Sequence, residues 1–212
     1  MVGKVKEITK DRLPSSKKDS WKTGMLKEAV EEHVWLSSTG LAGDEVADTK
    51  NHGGVEKAVF AYPIQHYTYW RNALGIEEID VGAMGENLSV LEMDEHTVCI
   101  GDIYAFGDAI IEVSQPREPC WKPGELAGVH DLAVHIKQTG RSGWYFRVIQ
   151  EGYVLSRIDI ELLERPYPEW SIAACQEVAA NPLVNLRRSR ALLSCEKLAD
   201  RWKRPLRKKL FG

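Results

Sequence analysis

The feature that most limits the fold of this chain is the spacing of its short apolar segments. Segments such as residues 58–62, 103–106 and 109–113 are too short for helices, and similar ones recur at intervals of roughly ten residues through the first 165 positions. No regular alternation of strand and helix accompanies them, as a doubly wound parallel sheet would require. The spacing therefore predicts a mainly β domain with some helices, either a mixed barrel or a sandwich, and argues against a Rossmann fold.

The strongest local signal is a hairpin. Residues 103–106 and 109–113 are separated by Gly107-Asp108, and glycine first in a two-residue loop is typical of a type II′ turn. A second hairpin is predicted across Glu151-Gly152, joining residues 143–149 to residues 153–155.

A proline-marked segment, Arg165-Pro166-Tyr167-Pro168, ends the β pattern, and the sequence beyond it is helical. We expect two units, residues 1–165 and residues 166–212, the second built from three short helices. Pro205 is expected to end or kink the last helix, because proline lacks a backbone donor. About 45 residues are too few to bury a strong core alone, so this unit is expected to dock on the β domain.

Charge is distributed unevenly along the chain. The formal net charge is −3, yet residues 187–209 hold ten Lys and Arg against two acidic residues, a local charge of +8. Such a basic end could bind nucleic acid or an acidic protein, and a merely solvated helix face is the more common case. Nucleic acid is the least favoured partner, because the aromatic and basic interleaving of such proteins is missing.

Composition and cysteine spacing indicate a cytoplasmic protein. No apolar run approaches the ~20 residues of a membrane helix, and the first residues show no signal-peptide pattern. The four cysteines, at positions 99, 120, 175 and 195, form no C-x-x-C pair. We expect one reactive cysteine among three buried ones, no membrane association and no structural zinc site.

The most informative segment for chemistry is residues 114–124, which holds three prolines and follows a predicted strand. Prolines restrict the backbone and fix the shape of the loop. Cys120 lies between Arg117 and Lys122, and neighbouring positive charge favours the thiolate, which acts as a nucleophile or metal ligand. The alternative is an ordinary buried cysteine that packs as a small apolar residue.

Other polar residues could join a pocket with this loop. His52 precedes the paired Gly53 and Gly54, which would let the backbone approach a ligand and cradle an anion, although a plain turn fits the same residues. Asn87 offers an amide that could fix the edge of a heterocycle. Arg147 lies in an otherwise apolar strand, where a cation is costly unless it is paired, anion-bound or on the wet face.

The chain resembles MOSC-domain proteins, a family named after the C-terminal domain of the molybdenum-cofactor sulfurase. The resemblance is carried, in order, by TGMLKEAV, GLAGDEVAD, NHGGVEKAVFAYPIQHYTYW, MGENLSV, IGDIYAFGDAIIEVSQPREPCWK and TGRSGWYFRVIQEG. The S-Q-P-R-x-P-C and H-G-G segments make it specific, and the YiiM-like branch is the better match. It implies a mixed, largely antiparallel β-barrel with flanking helices, followed by a small C-terminal three-helix module.

The resemblance also implies a molybdenum cofactor, a pyranopterin dithiolene, with the thiolate of Cys120 as the protein ligand to the metal. The anionic pterin phosphate needs cations, and His52 would line the pocket as the proton donor. The cofactor-binding residues expected on this basis are Lys27, Asn87, Ser114, Arg117, Lys122 and Arg147.

YiiM-like proteins are implicated in reducing N-hydroxylated compounds, such as 6-hydroxylaminopurine, to amines in a detoxifying reaction. This sequence has neither an iron–sulfur cysteine pattern nor a dinucleotide fingerprint, so the electrons are expected to come from a separate reductase. A carrier that holds the cofactor or sulfur without turnover is the main alternative. A cysteine hydrolase using Cys120 and His52 would leave the cations without a role.

Overall fold

Eleven strands and seven α-helices are formed by the residues that this computed structural model describes, namely 1–4, 6–9, 11, 13, 16–77 and 79–212. The strands are β1 (Lys6–Thr9), β2 (Ser20–Thr23), β3 (Val34–Ser37), β4 (Gly40–Leu41), β5 (Val59–Pro63), β6 (Leu88–Val90), β7 (Ile103–Phe106), β8 (Ala109–Pro116), β9 (Trp144–Gln150), β10 (Gly152–Val154) and β11 (Glu161–Glu164). The helices are α1 (Thr49–His52), α2 (Gln65–Leu74), α3 (Lys122–Leu126), α4 (Leu132–Thr139), α5 (Ile172–Ala180), α6 (Leu186–Ser194) and α7 (Asp200–Phe211), and a 3₁₀ turn spans Val55–Lys57.

Six of the strands form one curled sheet in the order β11-β7-β8-β9-β5-β6. Its pairs are antiparallel except β5 with β6, so the sheet is mixed as expected. The expected barrel is open, because within the described residues the edge strands β11 and β6 do not pair with each other. The remaining strands pair among themselves, β1 with β2, and β3 with both β10 and β4, and so do not close the gap.

The hairpin predicted at Gly107-Asp108 is confirmed, since Phe106 pairs with Ala109 across the turn. Gly107 has φ 59°, and a Cβ at this position would lie 2.6 Å from the carbonyl oxygen of Tyr153. A side chain is therefore excluded on both conformational and steric grounds.

The hairpin predicted across Glu151-Gly152 is wrong. β10 pairs with β3, with Tyr153 opposite Trp35, and joins the smaller sheet. A single residue, Glu151, separates β9 from β10, and one residue is too short to reverse the chain into an antiparallel partner. The chain instead crosses from one sheet to the other at this point.

The two faces of the six-stranded sheet bury different sets of side chains. In β9, Trp144 and Phe146 belong to the larger core cluster, whereas Tyr145 between them belongs to a smaller cluster around α2 and α4. This alternation follows from the period-2 geometry of a strand. Tyr67 and Trp70 of α2 are buried in the smaller cluster.

The C-terminal helices pack against the sheet, and they share its larger core cluster. Ile172, Leu192, Trp202 and Leu206 are buried there together with Phe146. The three helices form and dock on the sheet as predicted, but a separate three-helix module is not confirmed, because the helices and the sheet share one core cluster. The unit boundary at residue 165 stays a prediction.

Helix α7 does not end at Pro205, which lies inside it. Proline removes one backbone hydrogen bond, and the buried residues on either side, Trp202 and Leu206, anchor the helix to the core. Throughout the described part of the chain, no helix combines the length and apolar character needed to cross a membrane.

Candidate functional site

One cleft brings together most of the segments that the sequence motifs singled out. Its empty volume is about 730 Å³, a figure that includes the open mouth. The side chains with charge or chemistry that line it, here called the cleft residues, are Lys27, Asp44, Glu45, Asp48, His52, Lys57, Asn87, Arg117, Cys120, Lys122 and Tyr145.

The loop after β2 reaches the cleft through a close backbone contact at Gly24. A Cβ on Gly24 would lie 2.0 Å from the carbonyl oxygen of Glu45, so any side chain would force the two loops apart. The glycine in the TGMLK segment therefore allows Lys27 and Asp44 to meet at the wall of the cleft.

Arg117 is a buried cation of the cleft that no described carboxylate neutralises. It is 4% exposed, and its Nη1 has no hydrogen-bond partner among the residues described. The guanidinium carbon lies 4.7 Å from the centre of the Phe60 ring, which offers a cation–π contact but no acceptor. A buried donor without a partner costs about 1–3 kcal/mol, so the site is complementary to an acceptor, and an anion would satisfy it best.

Two lysines add positive charge nearby. Lys57 Nζ donates to the carbonyl oxygen of Asn51 at 2.6 Å and lies 5.3 Å from the centre of the Tyr145 ring. Burial, and then the charge of Arg201, lower the pKa of Lys57. Lys122 Nζ donates to the carbonyl oxygen of Lys22 at 2.9 Å. Among the described residues, neither ammonium forms an ion pair with a carboxylate.

The carboxylate of Asp44 organises the opposite wall. Lys27 Nζ lies 2.5 Å from its Oδ1, and the side chains of this ion pair are 5% and 9% exposed. Asn87 Nδ2 donates to Asp44 Oδ2 at 2.7 Å, while Asn87 Oδ1 accepts from the backbone of Phe60 at 3.1 Å. The amide predicted to fix a heterocycle is therefore occupied in holding Asp44, and Lys27 is already neutralised by the carboxylate.

Cys120 lines the cleft as a free, half-buried thiol in the loop between β8 and α3. The other three cysteines are buried, and burial raises the pKa of Cys99, Cys175 and Cys195. Accessibility and position therefore distinguish Cys120 as the thiol that can meet a ligand.

His52 and Tyr145 form a pair in the cleft, with His52 Nδ1 3.3 Å from the Tyr145 hydroxyl. Burial, followed by the charges of Arg117 and Lys57, lowers the pKa of His52 to about 4. Burial raises the pKa of Tyr145 to about 12. At neutral pH the imidazole is therefore neutral, which makes His52 a weak acid; its assignment as the proton donor stays a prediction.

Ser114 and Arg147 lie outside the cleft. Ser114 is fully buried, with Oγ 2.6 Å from the carbonyl oxygen of Glu56. Arg147 forms ion pairs with Glu56 and Glu112, and its Nη2 donates to the carbonyl oxygen of Lys197 at 2.8 Å. Both carboxylates compensate the arginine charge, and Arg147 joins the sheet to the C-terminal segment.

Sequence reasoning did not identify Lys57, Tyr145 or Asp44 as site residues. Lys57 follows three residues after the paired glycines, and a cation so close to the H-G-G segment could have indicated a site residue. Gly53 and Gly54 themselves do not line the cleft; Gly54 has φ 96° and turns the chain between α1 and the 3₁₀ segment. Tyr145 could not be found in this way, because the face it points to depends on strand register.

Fold and cleft together define an α/β protein with an accessible thiol beside buried positive charge. A model of the MOSC domain matches residues 48–158, and this chain belongs to the MOSC-domain family. Its similarity to YiiM of Escherichia coli, 34% identical over 88% of this chain and 84% of that protein, supports the YiiM-like branch.

Other relatives cover the chain to different extents. An uncharacterized protein of Bacillus subtilis, YflK, is 37% identical over 88% of this chain and 84% of its own length. A protein of Gibberella moniliformis named "Reductase" is 42% identical over 77% of this chain, a match that spans 30% of that protein. The crystal structure of YiiM from Geobacillus stearothermophilus has a TM-score of 0.79 at 33% identity, covering 99% of this chain and 95% of that one.

Proposed function

We propose that the cleft binds a molybdenum cofactor and that the protein uses it to reduce N-hydroxylated compounds to amines, with electrons from a partner reductase. MOSC domains are associated with the molybdenum cofactor. The observation that carries the proposal is the presence in one cleft of an accessible thiol, Cys120, and a buried guanidinium, Arg117, whose Nη1 lacks a partner within the described residues. The name of the Gibberella relative supports a reductive reaction.

The donor set of the cleft fits a metal group that is both anionic and bonded through sulfur. Cys120 would supply a soft thiolate ligand, which suits a metal held by dithiolene sulfur. Arg117 and Lys122 would bind the phosphate through charge-assisted hydrogen bonds. Once bound, the cofactor would supply two-electron reduction of an N–O bond.

The overall reaction is R–NHOH + 2e⁻ + 2H⁺ → R–NH₂ + H₂O, so the cleft must deliver two protons. We assign the Tyr145 hydroxyl as the donor to Nδ1 of neutral His52, 3.3 Å away, and this assignment places the ring proton on Nε2. We assign proton donation to Lys57, because a cation whose pKa is lowered by burial is a stronger acid than an ordinary lysine. His52 and Tyr145 then orient substrate through neutral hydrogen bonds.

The test is to purify the protein from a host that makes the cofactor and to measure molybdenum and pterin per chain. Turnover of 6-hydroxylaminopurine is then followed with reduced methyl viologen as the electron donor. We expect near-stoichiometric molybdenum and reduction of the N–O bond. Cys120→Ser should lose both, whereas Cys99→Ser makes the same exchange at a cysteine outside the cleft and should keep both.

Three outcomes would count against the proposal. Full activity in Cys120→Ser would defeat the assignment of the metal ligand. Bound pterin without reduction by any donor would identify a carrier. Absence of molybdenum and pterin from the wild-type protein would remove the cofactor altogether.

A further inference from the structure

Helix α7 carries two faces of opposite character. Trp202 and Leu206 are buried against the sheet. Arg201, Arg204 and Lys208 are exposed and spaced i, i+3 and i+7, which places them on one side of the helix, opposite the buried residues. We call these three residues the basic face of α7.

The positive charge of the basic face is not compensated within the described structure. Arg204 and Lys208 make no side-chain hydrogen bond or ion pair with any described residue. The nearby acid Asp200 lies 3.8 Å from Arg207, and this pair is exposed and therefore contributes little. The face thus projects a local positive potential from a chain whose net charge is −3.

The basic face touches the wall of the cleft through Arg201. Its Nη1 donates to the carbonyl oxygen of Lys50, and its Nη2 donates to Asn51 Oδ1 at 2.8 Å. The carbonyl oxygen of Asn51 in turn accepts from Lys57, and the next residue in the chain is His52; both of these side chains line the cleft. A protein bound to α7 would therefore sit beside the cleft.

We propose that the basic face of α7 is the docking surface for an acidic electron-transfer protein that supplies the cleft with electrons. The inference rests on the proposed function, which needs two electrons per turnover from outside the chain. Complementary charge would steer the donor to this face and set its orientation.

An acidic protein fits the charge distribution better than a nucleic acid. The basic face extends over seven residue steps of helix, from Arg201 to Lys208, which is about 10 Å at 1.5 Å per step. Outside residues 187–209 the chain carries a net charge of −11, which repels an extended polyanion. A compact acidic patch can match a short basic face without meeting that surface.

The experiment compares Arg204→Glu with Lys137→Glu in the full-length protein. Lys137 is an exposed residue of α4, on the opposite side of the sheet, and its side chain makes no hydrogen bond or ion pair with the described residues. Binding of purified flavodoxin, an acidic FMN protein, is measured by surface plasmon resonance at 50 and 200 mM salt, and turnover is measured with flavodoxin and with methyl viologen.

We expect Arg204→Glu to weaken flavodoxin binding on the order of three- to tenfold, mainly in the association rate, with Lys137→Glu close to wild type. Turnover driven by methyl viologen should be equal in all three proteins. Equal weakening in both variants, or no salt-dependent binding by the wild type, would overturn the proposal, as would preferential binding of a DNA oligonucleotide. If the wild type shows no turnover with methyl viologen, the proposed function is refuted. The binding comparison would still test the basic face of α7 as a docking surface.

Discussion

At the scale of single residues, the buried guanidinium of Arg117 should lower the free energy of unfolding of the ligand-free protein. Its guanidinium is buried with an unpartnered Nη1, within the described residues, at a cost of about 1–3 kcal/mol. Arg117→Met keeps the length of the side chain and removes the charge. We expect the metal-free variant to unfold at equal or higher denaturant concentration than the wild type, and its retained molybdenum to fall about tenfold or more.

Arg141→Met is the matched control for that substitution. Arg141 also lies over an aromatic ring, 3.9 Å from the centre of Tyr69, but outside the cleft. Its replacement should leave molybdenum retention unchanged. A clear loss of stability in metal-free Arg117→Met would mean that Nη1 has an acceptor in the ligand-free protein.

His52 makes a prediction about pH. Its pKa is about 4 in the folded protein and near 6.5 when exposed, so the unfolded chain takes up the proton first as the pH falls. The free energy of unfolding should therefore be unaffected by His52 above pH 7 and should decrease from pH 6.5 towards pH 4. His52→Gln should lose this part of the slope in urea titrations at pH 7, 6 and 5, and an unchanged slope would contradict the lowered pKa.

The part of the candidate site that lies within one short segment could be predicted from the sequence. Cys120 and Arg117 lie three residues apart in a proline-restricted loop, so both reach the same cleft. The surroundings of Arg147 could not be predicted in this way, because its partners, Glu56 and Glu112, come from distant segments that meet only in the folded protein. Charge and residue type are visible in a sequence, whereas the compensation of that charge is a tertiary property.

At the scale of elements, Arg201 of α7 forms hydrogen bonds with residues of α1. Arg201→Met removes two hydrogen bonds to the segment that precedes His52. We expect turnover to fall a few-fold with molybdenum content unchanged, and the NMR titration of His52 to move upward as the segment opens to water.

Arg207→Met, on the same helix, is the control for Arg201→Met, because Arg207 has an exposed ion pair with Asp200. It should leave both readouts at the wild-type value. An unchanged His52 titration in Arg201→Met would show that Arg201 does not position the cleft wall.

Strand pairs that are set by a local turn could be predicted from the sequence, whereas pairs between strands far apart in the chain could not. The turn at Gly107-Asp108 fixes β7 and β8 as neighbours, since the loop length and the glycine leave few alternatives. The pairing of β10 with β3 joins Tyr153 to Trp35, far apart in sequence, and no local pattern indicates it. The open barrel could not be predicted for the same reason, because it depends on whether the edge strands β11 and β6 pair with each other.

At the scale of the whole molecule, the sheet and the C-terminal helices share one core cluster. Trp202→Ala should therefore lower the free energy of unfolding of the entire chain by about 3–5 kcal/mol, with a single transition seen by both fluorescence and circular dichroism. Phe211→Ala, at a residue 63% exposed, should stay within about 0.5 kcal/mol of the wild type. Two separate transitions would show that residues 166–212 fold as an independent module.

The alternation along β9 has a consequence for protein engineering. Tyr145 faces the cleft while its neighbours Trp144 and Phe146 are held by the core that the tail helps to fill. An engineered protein that carries this cleft, or a shortened version of the chain, would thus have to keep the C-terminal helices. This holds even though Trp202 and Leu206 do not line the cleft.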